Sequence, residues 1–223
     1  MKKARKAVEA ARLPQGEILA LLGAVIAALL LISPAMAQDG EAKVRMVHLS
    51  PDAPAVMVEV DGEPVEDLAD VSYRDASPYL PIPAGPHEIA VFAVADPSEP
   101  VLEVSVAPEA GESYTIAGVG LLEDDSFGAR LFEDDNSEPD EGEARLRVIH
   151  AVPDVGPATV SVADGPDLFS LAGFANASDY AGVEAGTYTL EVTPAGAPSP
   201  AFEVPDAEVE EGEVYTAFAI GQA

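Results

Sequence analysis

The sequence predicts an all-β protein built as two tandem Ig-like antiparallel β-sandwich domains preceded by a signal peptide. Three observations carry that expectation. The chain repeats itself: Ala42-Lys43-Val44-Arg45-Met46-Val47-His48-Leu49-Ser50-Pro51-Asp52 returns 102 residues later as Ala144-Arg145-Leu146-Arg147-Val148-Ile149-His150-Ala151-Val152-Pro153-Asp154. Later matches are offset by 101, among them Ala84-Gly85 with Ala185-Gly186 and Gly111-Glu112-Ser113-Tyr114-Thr115 with Gly212-Glu213-Val214-Tyr215-Thr216. A period this long suits a complete small domain rather than a solenoid unit. Beyond residue 37, short apolar runs alternate with polar residues and are punctuated by Pro, Gly and Asp, the pattern of strands and turns.

The elements follow in order. Lys2, Lys3, Arg5, Lys6 and Arg12 precede an apolar run from Ile18 to Ile32 and then Ser33-Pro34-Ala35-Met36-Ala37. That order of parts predicts a signal peptide over residues 1–37, cut near Ala37. The run is shorter than the roughly 18 residues of a spanning helix, although a retained anchor is the alternative. The chain finishes without a hydrophobic tail, so the expectation is an exported protein, extracellular or associated with the cell envelope. Domain 1 is assigned to residues 40–133, an acidic linker to 134–142 and domain 2 to 143–223. In the first strand Ala42, Val44, Met46 and His48 share the inward face, with Lys43 and Arg45 outward; Ala144, Leu146, Val148 and His150 repeat that face, with Arg145 and Arg147 outward. Val56, Val58 and Val60 form an inward row before the Asp61-Gly62 turn. Tyr188, Leu190 and Val192 do the same after Ala185-Gly186, and Val101–Val106, Tyr114–Val119, Ala201–Val204 and Val214–Ile220 complete the strong strands. Ala129-Arg130-Leu131-Phe132 alternates like a strand that closes domain 1. Domain 2 has no matching segment, which predicts either an exposed edge open to strand addition or a short, blunted one.

Composition narrows the function classes. There is no Cys, so disulfides and thiolate chemistry are excluded and each domain rests on its core. The net charge of −29 becomes −32 once the five basic and two acidic residues of 1–37 are removed, leaving 6 basic and 38 acidic. Such a surface repels phosphate backbones and anionic headgroups, which argues against nucleic acid and against peripheral binding to an anionic membrane. It is also compatible with a saline habitat.

Val44-Arg45-Met46-Val47-His48-Leu49-Ser50-Pro51-Asp52-Ala53-Pro54, Val58-Glu59-Val60-Asp61-Gly62 and Tyr79-Leu80-Pro81-Ile82-Pro83-Ala84-Gly85 together resemble the DUF4397 family, exported bacterial and archaeal domains often found in tandem. The resemblance covers nearly all of 42–223. It implies fold and location and brings no activity, because the family has none assigned. The second copy departs from the pattern at Ala151-Val152 and at Val155-Gly156-Pro157.

Several constellations have both a functional and a simpler structural role open to them. His48 with Asp52, and His150 with Asp154, pair imidazole with carboxylate in both copies, but two ligands fall short of a closed metal site. They read as a strand-end cap and a turn brace, with Asp accepting from amides two residues on. His87-Glu88 lacks the second His of a zinc helix, Ser113 lacks a nucleophile elbow, and Gly118-Val119-Gly120 lacks the remainder of a dinucleotide loop. Tyr79, Tyr114, Tyr180, Tyr188 and Tyr215 read as half-buried packing rather than sugar platforms. In Glu133–Glu143, Asp134, Asn136 and Glu138 have alternating ligand spacing and are the metal candidates, for a weak Ca2+ site; Pro139 stands where an EF-hand loop needs Gly, so the segment is also a plain solvated linker. No cofactor beyond that weak Ca2+ is expected. The sequence thus points to a non-catalytic structural or interaction module acting on an unidentified extracellular or envelope protein or glycan, with a calcium- or glycan-binding module as the alternative.

Overall fold

The computed structural model describes residues 40–221, which belong to one compact unit. The signal peptide expected over 1–37 lies outside the described residues. Among these residues no helix is long and apolar enough to cross a membrane.

The first repeat comprises β1 (Glu41–His48), β2 (Val56–Val60), β3 (Glu63–Pro64), β4 (Leu80–Pro83), β5 (His87–Ala93), β6 (Asp96–Val106), β7 (Ser113–Val119) and β8 (Gly128–Asp134). The second comprises β9 (Glu143–His150), β10 (Ala158–Val162), β11 (Asp167–Leu171), β12 (Asn176–Ala177), β13 (Ala181–Glu184), β14 (Gly186–Pro194), β15 (Phe202–Val209) and β16 (Val214–Ala219). Each repeat is a sandwich of two four-stranded sheets. One sheet of the first runs β4-β1-β7-β8 and the other β3-β2-β5-β6. In the second, β9 lies between β16 and the β12/β13 pair, facing β11-β10-β14-β15.

Most ladders are antiparallel, with one parallel pair in each repeat. Lys43–His48 run alongside Ser113–Gly118, and Arg145–His150 alongside Val214–Ala219. The parallel pairing sets the first and last homologous strands of each copy side by side in one sheet, with β1 and β7 both central in the first repeat and β16 at the edge beside the central β9 in the second.

Alternation builds the cores. Ala42, Val44 and Met46 face Val56, Val58, Ile89 and Val91 across the first sandwich, while Ala144, Leu146 and Val148 face Val160, Phe169 and Leu171 across the second. Tyr114 and Tyr215 sit at matching positions, each hydroxyl accepting the backbone N–H of the residue five earlier, Glu109 and Glu210. The Asp61-Gly62 turn has φ of 53° and 80°, the left-handed pair that a two-residue hairpin requires. β8 covers one side of β7, as the alternation of Ala129–Phe132 predicts, and it continues to Asp134. The segment between the sandwiches therefore begins at Asp135, one residue later than the sequence boundary, because Asp134 is held in the ladder opposite Ser113.

The face expected to be outward is the main revision. Lys43, Arg45, Val47 and Leu49 alternate along one side of the first strand, and half of that row is apolar. Val47, Leu49, Ala117, Val119 and Ala151 form a third buried cluster, joined by Phe132, Phe174, Ala175, Phe218 and Ile220. The outer faces of the β1- and β9-containing sheets are thus turned to one another. Arg147, expected in solvent, is 3% exposed.

Candidate functional site at the junction of the repeats

Four of the six basic residues beyond the signal region, Lys43, Arg45, Arg145 and Arg147, lie on the outer rows of β1 and β9. The two central ones form a near-symmetrical arrangement. The Arg45 Nε donates to Thr115 Oγ1 at 2.8 Å and its Nη2 crosses to Thr216 Oγ1 at 3.0 Å. Arg147 Nε donates to Thr216 Oγ1 at 3.2 Å. Arg45 lies over the Tyr79 ring, and Arg147 over the homologous Tyr180 ring, both with the guanidinium carbon 4.9 Å from the centroid.

Asp134 breaks the symmetry. Its carboxylate accepts from Arg147 Nη2, from Thr115 Oγ1 and, at 2.6 Å, from the Tyr79 hydroxyl. Arg147 Nη1 donates to the Glu133 carbonyl at 2.7 Å. The result is a buried ion pair with its donors and acceptors occupied, and among the described residues no buried side-chain nitrogen or oxygen is left without a partner. Burial pushes the Tyr79 hydroxyl up to about 12, with its bond to Asp134 adding to the shift, so it remains a donor at any physiological pH. Such a pair is costly to desolvate, yet breaking it from one side strands a buried charge. Outside it, Arg145 pairs with Asp135, whose carboxyl is held well below the usual carboxylate range by that guanidinium and by Ser137.

The expected metal residues are not brought together. Asp134 faces the junction and is taken up by Arg147, Thr115 and Tyr79; Asn136 Nδ2 approaches the Tyr79 hydroxyl at 3.4 Å; Glu138 lines a separate cleft of about 320 Å3 with Asp140, Glu143, Arg145 and Tyr180. Beside it, a polar cleft of about 520 Å3 is bordered by Phe132, Glu133, Asp135, Arg145, Arg147 and Tyr180. Among the described residues no group of three or more His, Asp or Glu is disposed to hold a metal ion.

The histidines at the strand ends engage the backbone. His48 Nε2 meets the Pro54 carbonyl at 3.0 Å while its Nδ1 accepts from Ser50 N–H. His150 repeats this with the Gly156 carbonyl and Val152 N–H. One nitrogen donating and the other accepting from an amide fixes the neutral ring, and burial holds His150 below its ordinary value despite the carbonyl partner. Asp52 departs from expectation. It accepts from the distant amides of Leu122 and Glu123, both at 3.0 Å, instead of bracing only its own turn. Burial opposes its ionisation, but those amides and the Ser50 hydroxyl outweigh it and keep the carboxyl low.

Sequence reasoning missed Thr115, Thr216, Val47 and Leu49 as junction residues. The signal was present in the apolar half of the outward rows, since a solvent-facing row has no reason to carry Val47, Leu49 and Ile149.

The model of the family described as "Domain of unknown function (DUF4397)" matches residues 42–161 and 146–223, the two matches overlapping across β9 and β10. Among solved structures, a match to the Bacillus anthracis TIE protein has 12% identity and a TM-score of 0.26, covering 82% of this chain and 35% of that one. No curated protein matches the sequence.

Proposed function

The chain belongs to the DUF4397 family, and from that premise we propose that it is an exported, non-catalytic structural or interaction module, extracellular or associated with the envelope, whose two repeats act as one body. The observation that carries this reading is the junction. A cluster of charged and hydroxyl side chains, Arg45, Arg147, Asp134, Thr115, Thr216 and Tyr79, is spent on mutual hydrogen bonds that hold one sandwich to the other. Groups committed in this way fix the orientation of two sheets and are poorly placed to abstract protons or attack a substrate. An acidic body of fixed shape suits a spacer or display role outside the cell, where its charge keeps it soluble.

The reading is tested by fractionating expressing cells and sequencing the N-terminus of the protein recovered. A chain beginning at Gln38 in the medium or envelope fraction supports it; an uncleaved chain confined to the cytoplasm overturns it. A second reading, a calcium- or glycan-binding module, draws on the two clefts beside residues 135–142, one bordered by Glu133 and Asp135 and the other by Glu138 and Asp140. Calorimetric titration with CaCl2 separates the two: saturable heat at millimolar calcium, abolished by E138Q with D140N, favours the second.

A further inference from the structure

We propose, beyond the module function above, that the free side of β16 is a self-association edge: two copies of this protein pair β16 against β16 in antiparallel register, joining their sheets across a two-fold axis at Thr216.

The backbone sets which atoms are available. Arg145 N–H bonds to the Glu213 carbonyl and Ala151 N–H to the Ala219 carbonyl, so the odd-numbered residues of β16 point their polar groups at β9. Parallel ladders alternate, which turns the N–H and C=O groups of Val214, Thr216 and Phe218 to the opposite side. Among the described residues nothing bonds to them there. β7, the homologue of β16, carries β8 on that same side, so the architecture has room for a strand in this position.

The side chains then select the occupant. Every other edge strand is two residues long or carries Pro or charge: Pro81 and Pro83 in β4, Pro97 and Glu99 in β6, Arg130 and Glu133 in β8, Asp167 in β11, Glu184 in β13, Pro205 and Glu208 in β15. These are the devices that keep sheet edges apart. β16 reads Val-Tyr-Thr-Ala-Phe-Ala and has neither, in a chain of net charge −29. Centred on Thr216, the strand complements itself. Thr216 meets Thr216, Val214 meets Phe218, and Tyr215 meets the small Ala217; pairs of aromatic with β-branched residues are favourable cross-strand neighbours, while each Thr216 hydroxyl stays with Arg45 and Arg147 of its own copy. The acidic flank also finds a neutral one, with Glu213 opposite Ala219 and Glu211 opposite Gly221, so the register sets no carboxylate against another.

The like charge of the two bodies opposes the encounter, and pairing should therefore strengthen with salt. Sedimentation velocity of the purified protein at about 100 µM is the test, in roughly 0.05 M and 1 M NaCl. The expected result is a monomer–dimer equilibrium shifted to dimer at high salt. Val214→Pro removes an outward donor at the first residue of the strand, where Pro is tolerated, and Ala217→Glu adds charge at an exposed position. Because the axis applies each change twice, either variant should raise the dimer dissociation constant about tenfold or more while keeping its monomer fold by circular dichroism. A wild-type monomer in both buffers, or a dimer equally tight in both variants, overturns the proposal. So does a monomer whose melting temperature rises with an added peptide of the Gly128–Asp134 sequence, which would assign the edge to a β8-like strand from elsewhere.

Discussion

The two repeats begin alike and end differently. β1 and β9 carry the same alternation, the same buried histidine and the same outward basic pair, Lys43 with Arg45 in one and Arg145 with Arg147 in the other, and each lies parallel to its homologous late strand. After β7 the first repeat adds β8, which delivers Asp134 to Thr115, Tyr79 and Arg147. In the second repeat Thr216 serves Arg45 and Arg147 directly, and the Tyr180 hydroxyl lies 3.5 Å from it. The loops diverge too: Asp52 ties Leu122 and Glu123 to the first repeat, whereas its homologue Asp154 sits at a φ of 62°. The difference teaches that the repeat encodes a sandwich and a sticky outer face, while β8, the element outside the repeat, turns two such faces into one specific junction.

The largest effect should come from removing the asymmetric member. Asp134→Ala leaves Arg147 buried without its counter-charge, and urea denaturation should show a loss of about 3–5 kcal/mol. The double variant Asp134→Leu with Arg147→Met should recover a good part of that loss, since paired apolar replacement removes the stranded charge. A double variant as unstable as the single one would mean the ion pair itself, rather than its breakage, holds the junction.

Next comes an apolar position of the shared cluster at which the copies differ. Leu49 is 1% exposed in the shared cluster, and its homologue is Ala151. Leu49→Ala should cost about 2–5 kcal/mol through cavity formation. The reciprocal Ala151→Leu should cost about 1–3 kcal/mol by overpacking. Equal, negligible effects in thermal melts would show that the outer faces are not packed against one another.

These positions also mark how far the sequence was legible. Strand positions, the closing β8 and the two cores follow from alternation, which is local and survives any arrangement of the sandwiches. The partner of the outer rows is a long-range fact: nothing near Arg45 in the chain announces Thr216, 171 residues away. Val47 and Ile149 hinted that those rows were covered, without saying by what. The calcium candidates were chosen by spacing in an acidic run, a criterion blind to Asp134 being the last residue of a strand and to Asn136 turning toward Tyr79.

The histidines should behave alike in both repeats. His48→Ala and His150→Ala each leave a part-buried carbonyl and an amide without their ring partner, and each should cost about 1–3 kcal/mol. For His150 the folded value is depressed, so the unfolded chain binds more protons as pH falls below 6.5 and stability should decline on acidification through that range. Loss of His150 should weaken that slope, and an unchanged slope would place the titration elsewhere.

The smallest effect separates His87 from its homologue Tyr188. His87 Nδ1 bonds to Asp61 at 2.7 Å and Nε2 to the Pro83 carbonyl at 2.8 Å, an arrangement that needs both ring protons. Burial pulls its pKa down, but Asp61 and the carbonyl outweigh it and raise the value above 6.5. A raised value means the stabilisation is full below 6.5 and fades as pH climbs through the folded value. The Tyr188 hydroxyl makes the matching bond to the Glu184 carbonyl. His87→Tyr should therefore flatten a small decline in melting temperature between about pH 6 and pH 9; a decline of undiminished size would exclude His87 as its source.

The central claim is that the repeats form one cooperative body, and scanning calorimetry of the purified protein tests it most directly. A junction sharing Leu49, Val119, Ala151 and the Arg147–Asp134 pair predicts a single transition whose calorimetric and van't Hoff enthalpies agree. Two resolved transitions, or a calorimetric enthalpy about twice the van't Hoff value, would show two sandwiches melting independently and would contradict it.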